Sequence, residues 1–216
     1  RGSGFEADVL IVATRNPLRM KLEVTHFWGR PLFHLLLDES GIIIVSFPDK
    51  TYYTGDGTGL IPSRLLPVRL RPDQLWAAVR GFPVPVPGNR AVSSGGDRVS
   101  FLDENGDAIQ HVEFRNDNGF SVRAEYPGQG LRIAFSKFSR KDMILYARRT
   151  RLTDRGNGTN LTLDTRQIVF NTSIDKAIFD LTVPPGFHRL RDHRPLDTRR
   201  SIPYTHLEKP DPGPTP

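Results

Sequence analysis

Leu18-Arg19-Met20-Lys21-Leu22-Glu23-Val24 is the stretch on which the fold turns. Leu18, Met20, Leu22 and Val24 alternate with Arg19, Lys21 and Glu23, giving one oily and one charged face. A period of two belongs to a half-buried β-strand, whose successive side chains point to opposite sides. Just upstream, Ala7, Val9 and Ile11 alternate with Glu6, Asp8 and Leu10. Asn16-Pro17 separates the two runs, because proline lacks the ladder donor and restrains its predecessor. Downstream, Gly29-Arg30-Pro31 breaks the chain. Two apolar runs, 32–37 and 42–47, then flank Asp38-Glu39-Ser40-Gly41, a turn composition. Residues 51–54 make a short fifth strand.

The second half has the same grammar. Strands are predicted over 99–103, 108–115, 120–126, 131–135, 143–149, 160–163 and 167–171. Asn105-Gly106 and Asn118-Gly119 supply the positive φ that tight hairpins use. Phe120, Val122, Ala124 and Tyr126 form one face, and Leu131, Ile133 and Phe135 another. Short connections between alternating strands predict an antiparallel meander.

One interruption stands between the halves. Residues 72–81, Pro-Asp-Gln-Leu-Trp-Ala-Ala-Val-Arg-Gly, predict a short helix. Pro72 suits its first position, Asp73 complements the N-terminal dipole, and Gly81 fits the stop. Leu75, Trp76 and Val79 are expected on one stripe. Phe82-Pro83-Val84-Pro85-Val86-Pro87 follows as an extended segment barred from a central strand. The expected organisation is one β domain over 1–190, with a helical and proline insertion at 66–87. An Arg/Pro-rich arm follows over 191–216.

The 216 residues include no cysteine, which excludes a disulfide scaffold, a thiolate metal site and a cysteine nucleophile. The net charge of +6 invites a nucleic-acid reading. The basic residues, however, are mostly arginines set singly between apolar positions, such as Arg19, Arg123, Arg132 and Arg166. Two clusters remain, Arg148-Arg149-Thr150-Arg151 with Arg155, and the arm's Arg189, Arg191, Arg194, Arg199 and Arg200. The expected reading is solvated strand exteriors, no nucleic acid, and an arm able to meet an anionic membrane surface. The longest strongly apolar stretches fall far short of the ~20 residues of a spanning helix. No leader precedes the first strand, so the chain is expected to be processed or trimmed, with any lipid-anchoring cysteine upstream of Arg1.

No motif carries catalysis. Gly55-Asp56-Gly57-Thr58-Gly59 resembles a phosphate cradle, but Leu60-Ile61-Pro62 follows where a helix N-terminus is needed. Asp103-Glu104-Asn105-Gly106-Asp107 begins like a calcium loop yet lacks the closing acid, so a hairpin turn is expected. His26 and His34 flank a turn and read as strand histidines rather than metal ligands. The remaining histidines are His111, His188, His193 and His206. Asn157, Asn160 and Asn171 match the glycosylation pattern in a stretch where chance explains it. No cofactor and no metal are expected.

These features predict a mainly β fold, a curved antiparallel sheet with an oily face and a helix to cover it. A strongly twisted sheet of many strands curls. An incompletely filled interior would hold an apolar ligand. The alternative, a core packed shut by the helix, is left equally open by the sequence.

Arg15-Asn16-Pro17 leading into the 18–24 strand resembles the segment after the first strand in LolA/LolB-type lipoprotein carriers. Residues 31–35 through 41–45, then Lys50-Thr51-Tyr52-Tyr53-Thr54-Gly55, continue that pattern of strand, turn, strand and a Tyr-Gly approach to a lid. Phe179-Asp180-Leu181-Thr182-Val183-Pro184-Pro185-Gly186-Phe187 is similar to the family's closing motif. Two features depart: no helix precedes the first strand in this sequence, and the Arg/Pro arm has no counterpart.

The resemblance implies an unclosed β-barrel around a helical lid. It implies no catalysis and a bacterial periplasmic or outer-membrane setting. It also implies non-catalytic binding of lipid or lipoprotein acyl chains, for transport or outer-membrane insertion, by a monomer. Met20, Leu22, Val24, Phe120, Val122, Leu131, Ile133 and Phe135 are expected to line the cavity, with Leu75, Trp76 and Val79 on the lid. A second reading is a cell-envelope interaction or sensor module of the same fold. A third, an enzyme acting on a small aromatic acid, lacks an evident inward carboxylate or histidine pair.

Overall fold

The computed structural model describes residues 5–57, 59–61, 66–87, 90–93, 95–115 and 119–190. The arm over 191–216, with His193 and His206, lies outside the described residues.

The chain builds two sheets with one helix between them. The first sheet runs β1 (Asp8–Thr14), β2 (Arg19–Thr25), β3 (Pro31–Asp38), β4 (Gly41–Ser46) and β5 (Thr51–Gly55), each antiparallel to the last. Helix α1 (Pro72–Arg80) follows. The second sheet is another antiparallel meander: β6 (Arg90–Ser93), β7 (Arg98–Leu102), β8 (Ala108–Phe114), β9 (Ser121–Tyr126), β10 (Leu131–Lys141), β11 (Ile144–Asp154) and β12 (Thr159–Asp164). A two-residue strand, β13 (His188–Arg189), adds to β5 in the one parallel pairing recorded. Neither sheet closes on itself, so the architecture is a mainly β, unclosed barrel with a short helical lid.

β2 obeys its sequence pattern residue by residue: Met20, Leu22 and Val24 are buried, and Arg19, Lys21 and Glu23 are not. β10 and β11 are longer than the periodicity suggests. Their register is unbroken, but the Lys137–Arg148 pair is missing, and the Lys137 φ is 54°. Contact with the core passes there from Leu131, Ile133 and Phe135 to Phe138, so a continuous hairpin reads as two short strands. Residues 167–171, expected as a strand, pair with no sheet, and the chain turns at Asn171 with φ 53°. β6 had no legible period and forms because Ala91 and Val92 pair with Phe101 and Ser100.

Residues 165–190 form a strap over the outside. Lys141 Nζ donates to the Ile168 carbonyl oxygen at 2.6 Å, and Tyr146 meets Phe170. Farther on, Lys21 Nζ donates to the Asp180 carbonyl at 3.2 Å, and Phe187 packs on Phe47. Leu36 and Val45 are buried although they face away from the inner cluster, and Phe179 is buried on the strap. The motif expected to close the family fold is thus an outer cover of the first sheet.

Candidate functional site: the lidded apolar interior

The inner faces of both sheets meet in one apolar cluster. β2, β3 and β4 contribute Met20, Leu22, Leu35, Leu37, Ile42 and Ile44; β9 to β11 contribute Ala124, Leu131, Ile133, Phe135 and Leu152. Strand alternation explains the list, since Ala124, Ile133 and Leu152 are cross-strand partners in one row.

The inserted segment fills the space between the faces. Ile61, Leu66, Val68 and Leu70 are buried, and the Ile61 N–H donates to the Leu70 carbonyl at 2.7 Å. Ile61 thus lies beside the buried residues of the 66–87 insertion. Helix α1 buries Leu75, Ala77 and Ala78, whereas Trp76 and Val79 are half-buried on its flanks against the cluster. Small alanines let the helix lie close to β11. At Gly81 the chain turns with φ 75°, and a Cβ there would stand 2.8 Å from the Ala147 nitrogen. Both the conformation and the close approach require glycine.

Met20, Leu22, Val24, Leu131, Ile133 and Phe135 are all buried, and all but Val24 belong to the common cluster. Phe120 and Val122 are half-buried outside it. The reason is a bulge: Glu113 pairs with Arg123 and Phe114 with Ser121, leaving Val122 as the extra residue. Phe120 instead meets Phe138, at a ring separation of 5.8 Å. The interior is packed by the protein's own side chains. A recess beside Pro72, lined by Ile42, Tyr53 and Ile61, has about 10 Å³ of room, enough for about one water.

Sequence reasoning missed the polar groups that fasten the lid. Gln110 is fully buried on the inner face of β8. Its Nε2 donates to the Val84 carbonyl at 2.9 Å and to the Tyr126 hydroxyl at 3.0 Å, and its Oε1 accepts the Val86 N–H at 2.9 Å. Burial above all, then the Asp73 charge, pushes the Tyr126 phenol up to about 12, with Gln110 and Arg71 opposing. Gln74, also fully buried, accepts the Arg71 N–H at 2.8 Å and donates to Gln129. Farther along, Arg69 holds Asp154, which is 1% exposed, through Nε at 3.1 Å. Burial raises that carboxyl, but Arg69 and the Gly156 N–H outweigh it and hold it below its ordinary range. A glutamine among apolar neighbours opposite a proline segment was the available sequence signal.

Gly57 and Gly59 line the recess beside Pro72, at the start of α1. Gly57 packs on Gly41, and a Cβ at Gly41 would lie 2.2 Å from the Gly55 oxygen, so these glycines serve close packing. His26 stacks on Trp28, while His34 meets Phe47. Among the described residues no group of three or more His, Asp or Glu side chains could hold a metal ion.

No family model matches this chain, and no curated protein matches it. Among solved structures it is similar to an outer membrane lipoprotein-sorting protein domain from Vibrio parahaemolyticus. That match has 10% identity and a TM-score of 0.42, covering 81% of this chain and 80% of the other. It is also similar to a DUF1329 family protein from Desulfovibrio piger, at 15% identity and a TM-score of 0.37, covering 76% and 82%. Neither likeness assigns an activity.

Proposed function

We propose that this protein binds acyl chains of a lipid or lipoprotein between its two sheets, without catalysis, and that the described form is the closed, unloaded one. One observation carries the reading. The two apolar sheet faces are covered by a single inserted segment, fastened among the described residues by isolated polar side chains such as Gln110 and Gln74. Displacing α1 and the proline strap would uncover Met20, Leu22, Ile133 and Phe135 together. Each acyl CH₂ sheltered there contributes about 0.8 kcal/mol. The bacterial envelope setting belongs to the same reading and rests on the sequence resemblance.

The two tryptophans make it testable. In a Trp28→Phe chain only Trp76, on the lid, remains. Brominated acyl chains are expected to quench Trp76, and the quenching should travel with the soluble protein. Native mass spectrometry of protein from its own host should show a co-purifying lipid. A lipid-free chain whose Trp76 is not quenched overturns the proposal. The filled core favours a second reading, an envelope interaction module that never opens. For that module, deletion of 194–216 would abolish partner association, whereas a carrier would keep its lipid affinity.

A further inference from the structure

The outer face of the second sheet carries a group of arginines that the interior does not use. Alternation turns Leu131, Ile133 and Phe135 of β10 inward and Arg132, Ala134 and Ser136 outward. Ala134 pairs with Arg123 on β9 and with Arg151 on β11, so the smallest side chain of this face stands between two arginines. The two are separated by two strand spacings, about 10 Å, with only a methyl group between them. Arg132 and Arg149 are the next outward residues of β10 and β11.

The acids of this face already have partners. Glu113 accepts from Arg123 Nη1 at 2.7 Å, Glu125 from Arg132 Nε at 2.7 Å, and Asp164 from Arg149 Nε and Nη2 at 2.6 and 2.7 Å. Arg98 approaches the same Glu125 at 3.8 Å. Burial would raise the Glu125 carboxyl, but Arg132, Arg123 and Arg155 hold it below its ordinary range. Arg151 is exposed and has no ion pair among the described residues. Arg123 Nε is buried without a partner. A guanidinium carries five N–H donors, so donors are left over on three sides of Ala134.

The chemistry of the face selects the partner. Guanidinium and carboxylate already meet on it three times, and Arg149 grips Asp164 with both prongs of its fork. Around Ala134 the outward residues are charged or small, with no aromatic ring among them. A nucleic acid would find no ring to stack on, and a bilayer no anchor at headgroup level. We propose that the outer face of β9 to β12 docks an acidic segment of a partner protein, with a carboxylate seated over Ala134 between Arg123 and Arg151 and with Arg132 beside it. This docking needs neither an open lid nor a bound lipid.

Full-length protein is titrated into a labelled oligoglutamate peptide and followed by fluorescence anisotropy. Binding is expected, weakening with salt and absent for oligoglutamine. Arg151→Glu should lose about tenfold or more in affinity, whereas Arg30→Glu, the same charge change on the β2–β3 turn, should stay within about twofold. The thermal midpoint of Arg151→Glu should not fall, because Arg151 has no ion pair to lose. Ala134→Glu supplies a carboxylate at the same place from within the chain, so it should abolish peptide binding and leave the fold at least as stable. A peptide that does not bind overturns the proposal, as does equal weakening by Arg30→Glu and Arg151→Glu, or wild-type binding in Ala134→Glu. Tighter, Arg151-dependent binding of oligothymidylate or of phosphatidylglycerol vesicles also overturns it, since the face would then serve phosphates rather than carboxylates.

Discussion

The side-chain amide of Gln110 accepts the backbone N–H of Val86 at 2.9 Å, standing in for the neighbouring strand that the prolines forbid. Pro83, Pro85 and Pro87 have no N–H to offer, so the strap can be fastened only at isolated points. Gln110 supplies one of them from a strand that lies across the interior.

Gln110→Leu should therefore destabilise the protein by about 1–3 kcal/mol, because it removes three hydrogen bonds at once and takes the partner from the buried Tyr126 hydroxyl. Chemical denaturation measures the cost. Amide exchange at Val86 should rise more than exchange in β10, since the loss is local to the strap.

Gly81→Ala should cost about 2 kcal/mol or more. The left-handed conformation penalises a Cβ, and that Cβ meets the backbone of β11 rather than a movable side chain. A melting curve of the variant tests this. Gly106→Ala, at φ 86° with open space around the Cβ, should show the conformational part alone.

Arg69 and Asp154 predict an acid limb. The Asp154 carboxyl is depressed in the folded state, so its contribution is present above the ordinary value of 3.8 and is lost as pH falls through the lower folded value. Asp154→Asn should cost about 1–3 kcal/mol at neutral pH. The lower part of that range is expected, because Arg69 is 41% exposed and regains water. The difference between variant and wild type should shrink in acid, as read by urea midpoints across pH.

Tyr126 predicts the opposite limb. Its phenol stays protonated to about pH 12, above the ordinary 10. A group with a raised folded pKa stabilises below the unfolded value and loses that contribution as pH rises through the folded one. Ultraviolet titration should show a late tyrosine step, and Tyr126→Phe should remove it. Stability of the wild type should fall between about pH 10 and 12 more steeply than that of the variant.

The tertiary structure decided several matters that no local pattern could carry. A bulge at Val122 breaks the face that Phe120, Val122 and Ala124 share on paper, because an extra residue on one strand is invisible until its partner strand is placed. Residues 167–171 have strand composition, yet beyond the Thr165 N–H bond to the Arg148 carbonyl they join no sheet and are held by Lys141 and Tyr146. Whether the interior is hollow depended on Ile61, Val68 and Leu70; Leu66, Val68 and Leu70 alternate with Pro67 and Arg69, but they reach the core only because the insertion folds back between the sheets. Gln110 and Gln74 became fastenings for the same reason, since a hydrogen-bond partner far along the chain leaves no mark on its neighbours.

The sequence by itself determined the strands of period two, the turns, the helix with its proline start and glycine stop, and the absence of thiol chemistry. These follow from backbone sterics and side-chain alternation, which act over a few residues. Leu18-Arg19-Met20-Lys21-Leu22-Glu23-Val24 reads the same way in the sequence and in the fold, because one of its faces had to leave water. What fills the space beneath that face was settled only when two sheets and an insertion competed for the same volume.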